Sequence, residues 1–331
     1  MNSLTTELTV KNSDLRDFLK MSGPSLYEIC KKLDVNLVSS PNNAKNKNIE
    51  GSEVRRILES RGYSFPKQAK TIVCGINKGG AGKTTTTFYL AQRLSSLGAR
   101  VLVIDGDPQG NLTLAFNLEK YGIDIDEGTN VLIDILKGNT ALQEALIPVT
   151  PLLHLLPSTP MNSQTDSYLR DKVKNLSAPM KSIFKDVISE YDYILIDTAP
   201  TFGVTNTAFF ACADLVILPV NPDKFSPMSL KQTLGELNDI SSAFGLTFEK
   251  KILYTKHDRR ENLSADTFKM FFSSYPEMMF NTVIGVSADA KNTIVKGEYL
   301  FEKKSSIKDD FDSLTIEIMN LNSVANKKSL Q

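Results

Sequence analysis

Two kinds of segment alternate along the chain from residue 71 onward. Short apolar runs are typical of strands buried in a parallel sheet, and longer stretches with an apolar stripe at helical spacing are typical of amphipathic helices. The predicted strands span 71–76, 101–105, 152–156, 191–200, 214–220 and 250–255, and the predicted helices span 83–97, 131–136, 166–190, 203–212, 226–243 and 307–320. This alternation predicts an α/β fold, in which helices cover both faces of a mostly parallel sheet.

Residues 1–70 are polar and poor in long apolar runs, and they predict a small helical module ahead of a large domain, residues 71–331. We call residues 1–70 the N-terminal module. Ser25 begins a capping box before an apolar stripe, which predicts one helix, and Ser52 is placed to cap a second. The segment between them, S-S-P-N-N-A-K-N-K-N, indicates a loop or wing.

The composition narrows the class of protein. The chain has 331 residues, of which 41% are hydrophobic and 23% charged, and its net charge is zero. The N-terminal module has twelve Lys/Arg and eight Asp/Glu, a surplus of +4, which leaves −4 for residues 71–331. This basic surplus permits nucleic-acid contact without demanding it.

Three scattered cysteines and two histidines predict neither a disulfide framework nor a zinc site, so we expect a reducing cytoplasm. No secretory signal or spanning segment is evident, so we expect a soluble protein.

The stretch Ile72–Thr87, I-V-C-G-I-N-K-G-G-A-G-K-T-T-T-T, predicts a strand, a glycine-rich turn and a helix. The glycines permit positive φ, so the backbone N–H groups are able to turn inward around a phosphate. Lys83 is placed to reach the β/γ oxygens of a nucleotide, and the Thr84 hydroxyl is placed to ligate Mg²⁺. The predicted ATP-binding residues here are Gly79, Gly80, Ala81, Gly82, Lys83, Thr84 and Thr85.

Two later strands end in acids. Asp105 and Asp107 follow V-L-V-I, and Asp197 ends Y-D-Y-I-L-I-D. Ligands bind at the carboxyl ends of strands in open α/β sheets, and Asp197 fits the Walker B pattern of an acid beside Mg²⁺. The alternatives are a solvated turn for the first pair and a helix-capping aspartate for Asp197.

Lys78, at the first position of the motif, distinguishes this glycine-rich turn from most P-loops, which have glycine there. The motif K-G-G-A-G-K-T-T, together with V-L-V-I-D-G-D-P-Q-G-N and the Walker B strand, resembles the ParA/MinD family of deviant Walker A P-loop ATPases, and ParA partition ATPases most. The resemblance covers roughly residues 70–320 and implies a P-loop NTPase fold and an ATP-sandwich homodimer, in which Lys78 reaches the partner's nucleotide. It implies that Asp107 orients or deprotonates the attacking water and that Asp105 supports the Mg²⁺ shell. It makes Lys78, Lys83 and Asp107 catalytic residues, and Thr84, Asp105 and Asp197 metal-binding residues.

The resemblance also implies which residues bind adenine and which bind DNA. It implies that Asn206 contacts the base, while Pro219, Asn221 and Asp223 belong to the segment that wraps it. The loop with Lys256, Arg259 and Arg260 is similar to a ParA loop that helps form a DNA-facing surface, although a solvated loop is the alternative. Further lysines, extending this surface, are Lys291, Lys296, Lys303 and Lys304.

The N-terminal module looks like the helix-turn-helix modules with which some plasmid ParA proteins bind operator DNA and repress their partition operon. A docking or dimer-supporting extension is the alternative. Residues 37–48 make a poor recognition helix.

The function implied by the resemblance is DNA partition. An ATP-dependent dimer binds double-stranded DNA non-specifically, and a ParB-like centromere-binding protein stimulates hydrolysis, so that plasmid, phage or chromosomal DNA is segregated. The protein is then cytoplasmic, and nucleoid-associated when ATP-bound. The alternatives are a MinD-like membrane-associated ATPase, an enzyme like the nitrogenase iron protein, and an autorepressor acting through the N-terminal module. The C-terminal helix is acidic at its start, which disfavours the MinD-like alternative, so no membrane partner is expected.

Overall fold

The computed structural model describes residues 6–40, 43–287, 292–294, 296, 298–302 and 305–328. The strands are β1 Thr9–Lys11, β2 Leu37–Ser40, β3 Asn43–Glu50, β4 Lys70–Cys74, β5 Val101–Asp105, β6 Ile147–Thr150, β7 Leu153–Leu156, β8 Tyr193–Asp197, β9 Leu215–Val220, β10 Glu249–His257 and β11 Met279–Gly285. The α-helices are α1 Asn12–Leu19, α2 Gly23–Lys32, α3 Gly51–Ser60, α4 Lys83–Ser96, α5 Asn111–Ala115, α6 Leu132–Lys137, α7 Leu142–Ala145, α8 Thr165–Lys172, α9 Ala178–Lys185, α10 Val204–Phe210, α11 Ser226–Phe244, α12 Asn262–Ser274 and α13 Ser306–Lys328. Short 3₁₀ helices span Leu118–Tyr121, Pro160–Gln164 and Leu300–Glu302.

An eight-stranded sheet forms the centre of the large domain, with the strand order β11-β10-β9-β4-β8-β5-β7-β6. Its neighbouring strands run parallel, except that β6 pairs antiparallel with β7. The predicted mostly parallel sheet is confirmed. In register, Cys74 lies opposite Asp197, and Asp197 lies opposite Asp105, so the ends of β4, β8 and β5 meet at one edge of the sheet.

Both faces of the sheet are covered, and the alternation of side chains along each strand determines which face each side chain packs against. Along β5, Val101 and Val103 join one hydrophobic cluster, whereas Leu102 and Ile104 join the other. Successive side chains of a strand point to opposite faces, so an uninterrupted apolar run serves two cores at once. Helices α4 and α13 pack into the first cluster, and helices α8 to α12 into the second.

The N-terminal module contains a three-stranded sheet, which the prediction of a small helical module did not include, as well as helices. Strands β1 and β2 both pair antiparallel with β3, giving the order β1-β3-β2. The segment predicted as a loop or wing is therefore the hairpin β2–β3. Pairing with neighbouring strands satisfies the backbone of this polar segment, which no apolar alternation marks as a strand.

The helix caps of the N-terminal module also differ from the prediction. Ser22, not Ser25, caps α2, because its hydroxyl accepts a hydrogen bond from the Ser25 N–H at 3.3 Å. At the start of α3, the Ser52 N–H donates to the Glu7 carboxylate at 2.6 Å, so a distant side chain replaces the predicted Ser52 cap. Helix α1 was not predicted.

The predicted long helix 166–190 is two helices, α8 and α9. The chain leaves helical geometry at Val173, whose φ and ψ are −115° and 112°. Asn175 then accepts hydrogen bonds from both the N–H and the hydroxyl of Ser177, at 3.0 and 2.7 Å. Pro179 follows in the first turn of α9. An asparagine turn followed by proline interrupts a helix despite continuous apolar spacing.

The N-terminal module packs against the large domain through both apolar and charged contacts. Its residues Leu15 and Val54 belong to the same hydrophobic cluster as the first face of the sheet. The guanidinium of Arg55 lies 2.6 Å from the carboxylate of Asp192, a fully buried side chain that Arg100 also contacts at 3.0 Å. The module is thus built into the core of the large domain. In the described part of the chain, no helix has the length and apolar character needed to span a bilayer.

Candidate nucleotide-binding site

The glycine-rich loop joins β4 to α4 and has the backbone that its sequence predicts. Gly80 and Gly82 have φ angles of 69° and 105°, a region that side chains with a Cβ rarely occupy. Helix α4 begins at Lys83, so the loop and the helix N-terminus together present N–H groups to an anion. Lys83 is 6% exposed, and its ammonium donates to the Lys78 carbonyl at 3.0 Å. Burial lowers the pKa of Lys83, although nearby Asp197 opposes this.

The residues predicted to hold Mg²⁺ meet at this edge of the sheet. The Thr84 hydroxyl donates to Asp197 Oδ2 at 2.6 Å. The second oxygen of Asp197, Oδ1, is buried and has no hydrogen-bond partner among the described residues. Burial, and then the charge of Asp105, raise the pKa of Asp197, so its ionised form needs a positive charge beside it. An unpaired, buried carboxylate oxygen next to a threonine hydroxyl fits Mg²⁺.

Asp105 and Asp107 are anchored by different groups. Asp105 is fully buried; its Oδ2 accepts from the Thr113 N–H and hydroxyl at 2.8 and 2.7 Å, and its Oδ1 accepts from the Asp107 N–H at 3.2 Å. Burial raises the pKa of Asp105 to about 6. Asp107 is 8% exposed, and its Oδ1 accepts from the Gln109 N–H at 3.0 Å. Asp105 is held deep in the fold, whereas Asp107 lies in the turn that follows.

Lys78 is held by side chains of its own chain. Its ammonium donates to Asn221 Oδ1 at 2.8 Å and to the Ser226 hydroxyl at 2.7 Å, and it lies 3.2 Å from Asp223 Oδ1. Two residues predicted to wrap adenine, Asn221 and Asp223, therefore contact the distinctive lysine of the loop. The glycine-rich loop and the segment predicted to wrap adenine are therefore in direct contact.

The other predicted adenine-binding residues are largely buried. The Asn206 amide donates to the carbonyls of Ala199 and Thr201, at 2.8 and 2.7 Å, and thereby fixes the segment that follows β8. Pro219 lies buried within β9, opposite Leu253 of β10. Thr85 lies half-buried in the first turn of α4.

The predicted DNA-binding residues have three different environments. The Lys256 ammonium donates to the carbonyl of Gly80, in the glycine-rich loop, at 2.6 Å. Arg260 is 86% exposed and forms a two-point ion pair with Asp258, which lowers the pKa of that carboxyl to about 2. Arg259 is exposed. Of the lysines predicted to extend this surface, Lys296 is exposed, and Lys291, Lys303 and Lys304 lie outside the described residues.

Sequence reasoning missed three residues that shape the site: Thr113, Thr255 and Ser226. Thr113 holds Asp105, and Ser226 holds Lys78. The Thr255 hydroxyl donates to the Ala81 carbonyl at 2.8 Å, which ties the end of β10 to the glycine-rich loop. Thr255 lies near the carboxyl end of a parallel strand, and that position was an available signal.

The loop, the helix that it begins and the acids at the ends of β5 and β8 define the class of protein: a P-loop nucleoside triphosphatase. Residues 69–252 match the family model AAA_31, an AAA domain. The chain belongs to this family of P-loop ATPases, and ATP and Mg²⁺ are the cofactors that its site fits.

Similar proteins include partition ATPases. The chain is 28% identical to the chromosome-partitioning ATPase Soj of Treponema pallidum over 218 residues, which are 65% of this chain and 82% of that protein. A plasmid partition protein of Borrelia burgdorferi bound to AMPPNP is 25% identical, with a TM-score of 0.66 over 76% of this chain and 100% of that one. The ATP complex of McdA from Cyanothece has a TM-score of 0.68 at 22% identity, covering 76% of this chain and 96% of that one. The resemblance to the ParA/MinD family is confirmed.

Proposed function

We propose that this chain is a ParA-like partition ATPase. ATP joins two copies in a sandwich dimer, the dimer binds double-stranded DNA without sequence preference, and hydrolysis releases it. A ParB-like centromere-binding protein stimulates the hydrolysis, so that plasmid, phage or chromosomal DNA is segregated. The ATP-bound form is then found on the nucleoid. The names of the similar proteins from Treponema pallidum and Borrelia burgdorferi support this proposal.

One observation carries the catalytic part of the proposal. Thr84 and Asp197 lie 2.6 Å apart, and an unpaired buried oxygen of Asp197 remains available to a cation. Thr84 and Asp197 hold Mg²⁺ on ATP, and Asp105 supports its shell. Mg²⁺ supplies charge neutralisation between the phosphates when it is bound. Among the described residues, no group of three His, Cys, Asp or Glu side chains forms a metal cage, so phosphates and water would complete the shell.

The remaining residues have roles in positioning. Lys83 contacts the β/γ oxygens, and its low exposure of 6% strengthens that interaction by excluding water. Asp107 orients the attacking water, or accepts its proton, and is placed in the turn directly after β5. Lys78 supplies a second positive charge to the partner's nucleotide. Phosphoryl transfer depends chiefly on such positioning and charge balance.

We assign non-specific DNA binding to Lys256, at the end of β10, and to Arg259 and Arg260 in the turn that follows it. Arg260 is ion-paired with Asp258, and Lys256 contacts the glycine-rich loop. We therefore expect Arg259 to contribute most of the attraction to DNA phosphates. Such backbone contacts carry no sequence information and weaken with salt.

A DNA-binding assay with ATP, Mg²⁺ and full-length protein tests this function. We expect wild-type protein to bind arbitrary duplex DNA only with ATP, and affinity to fall steeply as salt is raised. Arg259→Glu/Arg260→Glu should weaken binding about tenfold or more. The matched control is Lys172→Glu/Lys174→Glu, which reverses two exposed lysines elsewhere on the large domain. Unchanged binding by the arginine variant contradicts the assigned surface, and ATP-independent binding contradicts the proposed cycle.

A second function, sequence-specific DNA binding, is favoured by the N-terminal module. Helices α1 and α2 are separated by three residues, Lys20 to Ser22, and are followed by the hairpin β2–β3, the arrangement of a helix-turn-helix with a wing. Tyr27 is 65% exposed on α2, and Lys31 and Lys32 are exposed at its end. If this module binds the operator DNA of its own operon, the chain is an autorepressor.

Because the N-terminal module shares a hydrophobic core with the large domain, point variants test it better than deletion. Footprinting on the chain's own promoter should show a protected site that Lys31→Glu/Lys32→Glu abolishes, while ATP turnover is retained. Absence of a footprint for wild-type protein favours the alternative, in which the module only supports the large domain.

A further inference from the structure

Two neighbouring side chains at the end of β10 bond to carbonyl groups of the glycine-rich loop. The Thr255 hydroxyl donates to the Ala81 carbonyl at 2.8 Å, and the Lys256 ammonium donates to the Gly80 carbonyl at 2.6 Å. Successive side chains of a regular strand point to opposite faces. Lys256 has a left-handed φ of 55°, so the chain bends there and both side chains reach one loop. The end of β10 therefore holds two consecutive carbonyls of the loop.

These two carbonyls belong to peptide groups whose N–H groups the loop presents to an anion. The Gly80 carbonyl shares a planar peptide group with the Ala81 N–H, and the Ala81 carbonyl shares the next one with the Gly82 N–H. No peptide bond among the described residues is cis, and in a trans peptide the N–H and the C=O point in opposite directions. A donor on the carbonyl also polarises the peptide group and strengthens a hydrogen bond from its N–H. A phosphate that turns either peptide plane therefore moves a carbonyl bonded to Thr255 or Lys256.

The Thr255 hydroxyl has a second acceptor close by. It lies 3.2 Å from the carbonyl of Val220, the last residue of β9. A hydroxyl has one proton, so it donates to one carbonyl at a time, and the shorter contact is the one to Ala81. When the Ala81 carbonyl moves away, the Val220 carbonyl accepts instead, so this buried hydroxyl is not left unpaired. The position of Thr255 thus allows two arrangements of the loop.

The turn 258–261 follows β10 directly and is closed by its own hydrogen bonds. The Arg260 N–H donates to Asp258 Oδ1 at 3.0 Å, and the Asp258 N–H donates to the Ser264 hydroxyl at 3.1 Å. A turn that is closed in this way moves together with the strand end before it. A displacement at the end of β10 therefore reaches the turn that carries the two arginines.

We propose that Thr255 is a positioning residue that connects phosphate binding in the glycine-rich loop to the conformation of the turn 258–261. Its hydroxyl orients and polarises the peptide group that ends at Gly82, and so strengthens nucleotide binding. The inference rests on the proposed function for one consequence only, which is that ATP sets the affinity for DNA through this contact. Because coupling between two ligands is reciprocal, DNA then raises the affinity for ATP by the same factor.

The experiment uses full-length protein and the ATP analogue AMPPNP with Mg²⁺. Displacement of a fluorescent nucleotide measures the affinity for AMPPNP. Hydrogen–deuterium exchange of residues 256–264, measured without DNA, reports the conformation of the turn. Thr255→Val removes the hydroxyl and keeps the shape of the side chain, whereas Thr255→Ser keeps the hydroxyl. Thr315→Val is the matched control, because Thr315 is fully buried and its hydroxyl donates to the Phe311 carbonyl within α13, outside the site.

We expect AMPPNP to change the exchange of residues 256–264 in wild-type protein. Thr255→Val should bind AMPPNP about three- to tenfold more weakly, the equivalent of one hydrogen bond. At saturating AMPPNP, Thr255→Val should lose the change in exchange although its nucleotide site is filled. Thr255→Ser and Thr315→Val should match wild type in both measurements.

Three outcomes overturn the proposal. If saturating AMPPNP leaves the exchange of residues 256–264 in wild type unchanged, the loop and the turn are not connected, and this result does not depend on the folding of any variant. If Thr255→Val responds as wild type does, its hydroxyl has no part in the connection. If Thr315→Val loses the response as well, the loss reflects stability and not the contact with the loop.

Binding of duplex DNA, measured with and without AMPPNP, separates this inference from the proposed function. If wild type binds DNA equally well in both conditions while Thr255→Val loses the exchange response, the proposed DNA cycle fails and the role of Thr255 stands. If AMPPNP promotes DNA binding equally in wild type and Thr255→Val, only the role of Thr255 fails.

Discussion

The Lys78 ammonium lies 3.2 Å from the Asp223 carboxylate of its own chain. Asn221 and Ser226 are its other acceptors among the described residues, and all three come from the segment between β9 and the start of α11. In the proposed dimer, Lys78 reaches the partner's nucleotide instead. These internal contacts and the contact across the interface compete for one ammonium group.

Lys78→Ala should separate nucleotide binding from turnover. We expect affinity for a fluorescent ATP analogue to change by less than about threefold, because Lys83 and the loop backbone remain. Stimulated turnover should fall about a hundredfold, the usual cost of removing one donor to transition-state charge. Equilibrium titration and phosphate release measure the two quantities. Full stimulated turnover in Lys78→Ala would refute the sandwich dimer.

Asp107→Ala should produce a protein that binds ATP and does not hydrolyse it. In the proposed mechanism Asp107 acts on the attacking water, and the two proposed Mg²⁺ ligands, Thr84 and Asp197, are retained in this variant. We expect turnover to fall about a hundredfold or more, and ATP-dependent dimers to accumulate in analytical ultracentrifugation. Gln109→Ala is the control, since only its backbone N–H contacts Asp107. Normal turnover in Asp107→Ala would rule out its catalytic role.

Arg55→Ala should destabilise the whole chain and not only the N-terminal module. Asp192 is fully buried, and without Arg55 its one remaining charged partner in the described part of the chain is Arg100. An incompletely paired buried carboxylate costs about 1–3 kcal/mol, less than a fully unpaired one because Arg100 remains. Urea denaturation measures the change. Arg56→Ala is the control, because Arg56 is 47% exposed and pairs with Glu53 at helical spacing. Equal stability of the two variants would contradict the docking contact.

His154 should make the protein less stable in mild acid. Its Nδ1 lies 2.6 Å from the Tyr191 hydroxyl, and burial lowers the pKa of His154 below that of an exposed histidine, about 6.5. As the pH falls through that value, the unfolded chain takes up a proton that folded His154 resists, so the free energy of unfolding decreases. The melting temperature of His154→Gln should therefore drop less than that of wild type between about pH 7.5 and pH 5.

The control for this pH dependence is Tyr191→Phe, which removes the hydrogen-bond partner and keeps the histidine. Its melting temperature should still drop in mild acid. An identical drop in wild type and His154→Gln would assign the acid sensitivity to other groups.

Local signals predicted the core of the site. Asp105 and Asp197 each end an apolar strand, and parallel strands place such ends at the same edge of the sheet. The pairing of β8 with both β4 and β5 then brings them together. The contacts of Lys78 were not predictable in this way, because Asn221 and Ser226 lie more than 140 positions further along the chain and β9 must pair beside β4 to bring them near.

The two strands of the hairpin β2–β3, predicted only as a loop or wing, were not recognised for a different reason. Its sequence L-V-S-S and N-A-K-N-K-N-I-E has too few apolar residues for a strand pattern. The strands form because β3 pairs on both sides, with β1 and with β2, and this tertiary pairing overrides a weak local preference.

Lys256 provides a test between two interpretations of one residue. The sequence resemblance predicts that it contacts DNA, whereas its ammonium lies 2.6 Å from the Gly80 carbonyl. If the contact with the glycine-rich loop matters, Lys256→Gln should weaken ATP binding by about three- to tenfold, the equivalent of one hydrogen bond. If Lys256 contacts DNA, the variant should instead weaken DNA binding and reduce its salt dependence at saturating ATP.

Arg259→Gln is the comparison, since Arg259 lies in the turn directly after β10 and is not bonded to Gly80 in the described structure. Because Lys256 has a left-handed φ of 55°, Lys256→Gly keeps the backbone geometry and removes only the side chain. Agreement between the glycine and glutamine variants would assign the effect to the ammonium group.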